Sequence, residues 1–453
     1  MSRIPLFSPL TWPVFSFALA VLIGSLLLAL PACQTENASM TFLDALFLAT
    51  SAVCVTGLST VDISVQLSFA GQSVLLFLFQ LGGLGVTAYT SLFFMLLNRH
   101  VPITDRLAVG QALYDQDVHL KTFISQVVCL SLCIQIAAAI GLHVHDPEHF
   151  TPFSAFFHAV SAFCNAGFST FSDNIIGLQA DPVVNAILCT NIILGGLGFG
   201  LLRELVSRAG AVLRGHPRPL SRMTMLILRT NAFLILSGGG LIWLVEHFRP
   251  GNDESVGSGL TLGLISFFQA ISARTAGFNS VSLPALCEAS LLIIILLMLI
   301  GGSSGSCAGG IKTGTFRVLM AYIAARLRGE RQILLGNRAV PPRLVTAALT
   351  LFFLYSMMIG GSMFVLSLTE NVFFVPEGRG EISFFRLLFE VVSALGTVGM
   401  SLDLTPHLSS PGKLVIILNM FAGRVGFFTL LLAVQSMHAK RQYDFPESSI
   451  AIG

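Results

Sequence analysis

Four turns in this chain carry glycine, small residues and no carboxylate: Ser51-Ala-Val-Cys-Val-Thr-Gly57-Leu-Ser, Ser161-Ala-Phe-Cys-Asn-Ala-Gly167-Phe-Ser, Ser272-Ala-Arg-Thr-Ala-Gly277-Phe-Asn and Ser393-Ala-Leu-Gly-Thr-Val-Gly399-Met-Ser. Such turns have little side-chain chemistry to offer. What they can offer is backbone carbonyl oxygen. Glycine reaches φ > 0 without strain, so successive carbonyls can point the same way. Four such turns around one axis would make a ring of oxygens able to replace the hydration shell of an alkali cation. The lack of Asp and Glu fits a carbonyl ring better than a ring of carboxylates.

Each turn closes an apolar segment: 42–53, 152–164, 261–273 and 383–395. About 12 helical residues reach ~18 Å, roughly halfway through a bilayer. The turn glycines recur at intervals of 110 (167 − 57), 110 (277 − 167) and 122 (399 − 277) residues. A second glycine mark follows each: Gly82-Gly83-Leu84-Gly85, Gly195-Gly196-Leu197-Gly198, Gly302-Ser303-Ser304-Gly305 and Gly423-Arg424-Val425-Gly426. We read this second set as close helix packing. Internal periodicity predicts a repeated unit of span, half-span, glycine turn and span. The expected fold is an all-α membrane protein of eight transmembrane helices and four re-entrant half-helices, in four pseudo-fourfold repeats around a central pore. The repeats are 1–98, 99–208, 209–325 and 326–453. An even number of crossings per unit keeps all four in one orientation, unlike the inverted repeats of many carriers.

The composition agrees. Of 453 residues, 54% are hydrophobic and 11% charged, against roughly 25% charged in soluble domains; the mean hydropathy is +0.81. A soluble enzyme, a disordered chain and a disulfide scaffold are excluded. A net charge of +2 gives no field for nucleic acid. Predicted spans are 14–30, 72–97, 123–142, 183–202, 223–245, 285–311, 344–368 and 414–437, with Arg229, Glu288 and Arg424 their only charges. With both termini on one side, that side holds 18 of the 25 Lys and Arg, which makes it cytoplasmic. Leu30-Pro31-Ala32-Cys33 imitates a lipoprotein cleavage site, but cleavage would truncate the first repeat, so 14–30 is read as a span. Cys129 and Cys133, one turn apart, and His143, His145 and His149 in a polar loop are read as packing and solvated positions rather than metal ligands.

Thr397-Val398-Gly399, Ala273-Arg274-Thr275-Ala276-Gly277-Phe278-Asn279, the run Gly301 to Thr313 and Gly423-Arg424-Val425-Gly426 together resemble the Trk/Ktr/HKT superfamily of potassium transporters, over residues ~14–438. The chain is most similar to the bacterial Ktr membrane subunit, since it starts directly with the first repeat and lacks the extra N-terminal helix pair of Trk subunits. The resemblance implies a potassium filter at Val55, Thr56, Gly57 and Leu58; Asn165, Ala166, Gly167 and Phe168; Thr275, Ala276, Gly277 and Phe278; and Thr397, Val398, Gly399 and Met400. It also implies a homodimer with one pore per protomer in the bacterial inner membrane, and control by a cytosolic ring of nucleotide-binding, RCK-type regulatory subunits that carry the only nucleotide. Ktr systems often depend on Na+. In plant members a Ser at the place of Gly57 goes with sodium preference, so Gly57 predicts K+ selectivity.

The glycine-rich stretch at the end of the sixth span cannot continue a helix cheaply, at about 1 kcal/mol per glycine. A flexible loop over 302–314 is expected to obstruct the pore below the filter. Its members are Gly302, Ser303, Ser304, Gly305, Ser306, Gly309, Gly310, Lys312, Thr313 and Gly314, and the resemblance makes it the gating loop. Arg424 at mid-span must face protein or water; it is expected to act as an electrostatic barrier or to anchor the loop through carbonyls. Arg274 is expected to cap the third half-helix, and Glu390 to pair with a backbone donor or an arginine. The basic stretch Arg326–Arg343 is read as lipid-headgroup contact, with partner docking the sharper alternative. Two rivals are a secondary carrier with discontinuous helices and an intramembrane serine protease built on Gly302-Ser303-Ser304-Gly305, which would need a histidine facing the serine.

Overall fold

The computed structural model describes residues 12–83, 120–250, 257–370 and 383–426, with 37, 217, 218, 258 and 337 excepted. Four successive groups of helices make up the molecule. The first holds α1 (Trp12–Leu28), α2 (Phe42–Val53), the single turn α3 (Ile63–Gln66) and α4 (Phe69–Gly83). The second holds α5 (Leu120–His145), α6 (Pro152–Cys164), α7 (Pro182–Leu197) and α8 (Phe199–Leu213). The third holds α9 (Arg222–His247), α10 (Leu260–Ser272), α11 (Glu288–Leu299) and α12 (Thr313–Leu327). The fourth holds α13 (Pro342–Leu368), α14 (Phe384–Gly396) and α15 (Ser410–Val425), preceded by an antiparallel hairpin of β1 (Leu334–Leu335) and β2 (Arg338–Ala339).

In each group one short helix of 12 or 13 residues runs into a glycine turn: α2, α6, α10 and α14; α11, also 12 residues, runs into the irregular chain that follows it. Local chemistry starts three of them. Thr41 and Asp44 form a capping box on α2. Thr151 Oγ1 accepts from the Ser154 amide at 3.3 Å ahead of Pro152 on α6, and Ser383 accepts from the Phe385 amide at 3.3 Å on α14. Each such cap satisfies an otherwise orphaned amide and contributes about 1 kcal/mol.

The apolar core lies at the junctions between groups. Phe17, Leu48 and Phe79 pack with Phe157 and Phe163 between the first and second groups. Leu142, Phe150 and Leu188 meet Phe268 and Phe278 between the second and third. Ile265 and Ile294 meet Phe389 and Val398 between the third and fourth. Phe47, Cys54 and Leu58 meet Leu366, Leu387 and Met420 between the fourth and first. Four junctions in cyclic order leave the ends of the short helices converging at the middle.

Large apolar side chains cover the outside, among them Leu19, Leu26, Leu236, Phe353, Met357 and Phe364. Three stretches, Ser125–His145, Arg222–His247 and Pro342–Leu368, are long and apolar enough to cross a membrane unaided. The expected spans 72–97 and 414–437 run beyond the described residues, as do both termini, Leu84 and Gly85.

Two expected spans are not continuous helices. The stretch 183–202 breaks at Gly198, and α8 leaves α7 at 111°. Gly198 has φ 93°, and the Phe199 amide donates to Gly305 O at 2.9 Å. The loop after α11 packs against this bend, where a Cβ on Gly198 would meet Ser304 O at 2.7 Å. The stretch 285–311 stops being helical at Leu299; chain from Ile300 to Lys312 is irregular, with a parallel bridge between Ile300 and Ile311 at its neck. Thr313 and Gly314, expected inside that loop, open α12 instead. The Thr313 amide donates to Gly302 O at 3.1 Å and its hydroxyl to Ser303 Oγ at 3.2 Å, which pins the helix start to the loop.

Candidate functional site

The segment following each short helix has an unusual backbone. Val55, Asn165, Thr275 and Thr397 have positive φ of 56°, 59°, 79° and 51°, and two residues later Gly57, Gly167, Gly277 and Gly399 have φ of 94°, 70°, 80° and 98°. For β-branched Val and Thr this conformation is a true outlier. Each costs about 1–3 kcal/mol and persists only where the surroundings impose it. The imposing contacts are visible. The amides of Thr56, Ala166, Ala276 and Val398 turn back to the carbonyls of Ser51, Ser161, Ser272 and Ser393 at 2.7, 2.8, 2.8 and 2.8 Å.

Those four serines also hold the segments by their side chains. Ser51 and Ser393 accept from the Gly57 and Gly399 amides at 3.1 Å each, while Ser161 and Ser272 donate to Phe168 O and Phe278 O at 2.8 and 2.7 Å. Backbone N–H groups are thereby drawn toward the short helices. Among the described residues, none donates to the carbonyl oxygens of Thr56, Ala166, Ala276 and Val398.

The four segments touch in a closed cycle. A Cβ added to Gly57 would run into Ala166 O, one on Gly167 into Ala276 O at 2.6 Å, one on Gly277 into Val398 O, and one on Gly399 into Thr56 O. Every glycine abuts the carbonyl that precedes the next glycine, and the fourth returns to the first. All sixteen residues Val55 to Leu58, Asn165 to Phe168, Thr275 to Phe278 and Thr397 to Met400 are therefore brought together. Of their side chains, those of Val55, Leu58, Ala166, Phe168, Ala276, Phe278, Val398 and Met400 lie in the apolar junctions; Phe168 and Phe278 are 1% and 0% exposed.

The irregular loop lies directly beneath. Gly309 packs on Thr397 so closely that a Cβ there would meet Thr397 Oγ1. The Ser303 and Cys307 amides donate to Gly196 O and Gly195 O at 2.9 and 3.2 Å, and Ser306 Oγ to Ser303 O at 2.7 Å. Lys312 Nζ bonds back to Ala308 O and Gly309 O. Arg424, buried, donates to Cys307 O and to Gly82 O, bridging the loop and α4. Of the second glycine set, Gly82, Gly195 and Gly423 abut Val53 O, Phe163 O and Leu395 O, letting their helices press on the ends of the short helices.

Two side chains act differently from the sequence expectation. Arg274 does not cap α10: the carbonyls of Gln269, Ile271 and Ser272 already accept from backbone amides, and Arg274 Nη2 reaches Gly301 O at 3.1 Å instead. Among the described residues Glu390 bonds to neither a backbone donor nor an arginine; it accepts from Ser401 Oγ at 2.8 Å and from Thr405 Oγ1, while Arg386 donates to Leu402 O. The roles of the four helix-end serines and of the positive φ at Val55, Thr275 and Thr397 had no individual sequence signal.

Other candidates stay apart. Cys129 and Cys133 are exposed on the apolar surface, and His145 and His149 pair with Asp181 and Asp146 at 2.8 Å each. Among the described residues no group of three His, Cys, Asp or Glu could hold a metal. Ser304 has no described histidine beside it; His407 lies in the turn Thr405–His407, and His438 falls outside the described residues.

Apolar helices facing outward and a central cluster of strained backbone define a helical membrane transport protein. Residues 18–443 match TrkH, described as a cation transport protein. The chain belongs to this TrkH/Ktr family. It is 36% identical to Ktr system potassium uptake protein B of Vibrio alginolyticus, over 97% of this chain and 94% of that one. It is 34% identical to potassium/sodium uptake protein NtpJ of Enterococcus hirae, over 98% and 97%. Its fold is similar to the crystal structure of the potassium transporter TrkH from Vibrio parahaemolyticus, with TM-score 0.71 and 21% identity over 96% of this chain and 86% of the other.

Proposed function

We propose that this chain is the K+-selective translocating subunit of a bacterial potassium uptake system. The observation that carries the reading is the cycle of glycine-to-carbonyl contacts joined to alternating positive φ. Backbone that alternates in this way aims consecutive carbonyls to one side, and four such segments supply rings of oxygen for a dehydrated cation. The relatives are named for potassium or for potassium and sodium uptake; Gly57 in the first segment supports potassium. The ends of the short helices, each with about half a negative charge, would favour a cation below the filter.

In this reading the four helix groups are pseudo-equivalent repeats around the pore, with the loop 300–312 as its gate and Arg424 as the clasp. The excess of Lys and Arg on one side supports cytoplasmic termini in the inner membrane, and the basic stretch from Arg326 to Arg343 supports contact with anionic lipid. A homodimer, a cytosolic nucleotide-binding regulatory ring and sodium dependence complete the proposal by analogy with Ktr systems. The decisive test is growth of a transport-deficient bacterial host at low potassium, with and without a regulatory subunit and sodium. Rescue together with rubidium uptake in proteoliposomes is the expected result; no potassium-dependent rescue under any of these conditions refutes it.

A further inference from the structure

Each short helix carries one buried polar side chain that reaches past the cation-binding segment to a hydroxyl on its far end. His158 Nε2 faces Ser169 Oγ at 2.9 Å, Gln269 Nε2 donates to Ser280 Oγ at 3.2 Å, and Glu390 accepts from Ser401 Oγ at 2.8 Å. All three side chains are fully buried. All three pairs are separated by the same interval of 11 residues, even though the third turn is one residue shorter before its glycine. The interval survives because one residue is added after Gly277, so the hydroxyl returns to the same height.

Each of these side chains stands three residues before the serine that fixes the near end of the segment: 158 before 161, 269 before 272, 390 before 393. The first group departs from this. Leu48 stands three before Ser51, and the tie comes from one turn earlier, where Asp44 Oδ1 accepts from Thr60 Oγ1 at 2.8 Å and from Lys413 Nζ at 2.7 Å. The hydroxyls pass the tie onward. Ser169 Oγ accepts from the Phe171 amide at 3.0 Å, and Ser401 Oγ from the Leu404 amide at 3.2 Å. His158 is held in orientation by Ser154 O at 2.8 Å from Nδ1 and by the stacked ring of Phe171.

We infer that His158, Gln269 and Glu390, with Asp44 in the first group, are positioning residues that set the width of the carbonyl ring and thereby its discrimination between K+ and Na+. This rests on the filter assignment proposed above. The helix-end serines hold each four-residue segment as far as its glycine in the first and fourth groups and as far as its last carbonyl in the second and third, and no further. Chain left loose just past the segment would let its outer end swing away and tilt the carbonyls; the second tether, on a hydroxyl one or two residues beyond the segment, prevents this. Ring width and carbonyl field strength are the quantities on which such selectivity depends. The four tethers differ in chemistry, with carboxylates in the adjacent first and fourth groups and neutral or imidazole groups in the second and third, so the ring is held more firmly on one side.

The test measures radioactive rubidium and sodium uptake in parallel, in proteoliposomes holding the purified full chain, for E390L, E390Q, S280A and G57S. Net hydrogen-bond contributions of about 0.5–1.5 kcal/mol correspond to a loss of roughly two- to tenfold in the rubidium/sodium ratio for E390L and for S280A. E390Q, which keeps an acceptor oxygen for one hydroxyl, should recover part of the loss. S280A removes a single oxygen and keeps the test decisive should E390L fail to fold. A ratio equal to wild type in S280A and in folded E390L, or a uniform fall in both fluxes at constant ratio, overturns the proposal if G57S shifts the ratio. If G57S also leaves the ratio unchanged, it is the filter assignment that has failed.

Discussion

Gly399 closes the ring on Thr56: a Cβ on the last of the four turn glycines would overlap the carbonyl oxygen of a residue in the first turn. The contact joins opposite ends of the chain through backbone alone. It also makes the smallest possible side-chain change a stringent experiment. Gly399→Ala must place a methyl against that oxygen at φ 98°, at a cost of about 1–3 kcal/mol in strain before any overlap is counted. Rubidium uptake should fall by roughly tenfold or more, while Gly314→Ala, with open space around it, should leave uptake near wild type.

Gly57→Ser tests selectivity rather than conduction. Its Cβ would push on Ala166 O, disturbing the ring between the first and second groups. The expected outcome is a lower potassium/sodium permeability ratio than wild type, read from paired tracer fluxes. An unchanged ratio would remove the reason for assigning potassium over sodium.

The loop between α11 and α12 is held by hydrogen bonds, from Arg274, Arg424 and the bend at Gly195 to Phe199, more than by apolar packing, to which Cys307 and Ala308 contribute. Deleting residues 303–309 removes the segment that packs on Thr397, so basal rubidium flux should rise without any regulatory subunit present. Flux that stays at the wild-type level would show that the loop is not an obstruction.

Part of this arrangement is legible in the sequence because it is written in periodic terms. The short helices follow from apolar segments too brief to span, each ended by small residues and glycine. Other parts are not periodic. Nothing in Val55 or Thr275 announces φ > 0, since β-branched residues avoid that region; only Asn165 hints at it. The bend at Gly198 is hidden because Gly195-Gly196-Leu197-Gly198 is as apolar as a continuing span, and the bend depends on Gly305 O being near. Glu390 looks like a partner for Arg386 by proximity in sequence, yet Arg386 is drawn to Leu402 O and the hydroxyls of Ser401 and Thr405 reach the carboxylate first.

Arg424 offers two guanidinium nitrogens to two carbonyls on different elements, Cys307 O and Gly82 O. A planar fork can serve both at once; an ammonium cannot match that geometry. Hydrogen bonds from a charged donor contribute about 1.5–3 kcal/mol each, enough for one of them to shift the closed-loop population by tenfold or more. Arg424→Ala should therefore raise basal flux, and Arg424→Lys should resemble Arg424→Ala more than wild type. A lysine variant with wild-type flux would argue for a charge barrier in place of a clasp.

Lys413 and Asp44 tie the fourth group to the first at the entrance end of the short helices, at 2.7 Å, with side chains 16% and 9% exposed. Breaking a buried pair leaves the partner's charge uncompensated and costs up to about 3–5 kcal/mol. Here Thr41 and Thr60 still donate to the carboxylate, at 2.6 and 2.8 Å, so Lys413→Met should cost less, about 1–3 kcal/mol. Asp44→Asn alone removes the charge and one of the two acceptor oxygens, leaving a single amide oxygen for either the capping box or Thr60, and should cost a similar amount. The double variant isolates the pair: if the ion pair itself stabilises the closure, the two losses in thermal stability in detergent must sum to more than the loss in the double variant. Additive losses would mean that the two residues act independently, with the first and fourth groups held together by their shared apolar junction alone.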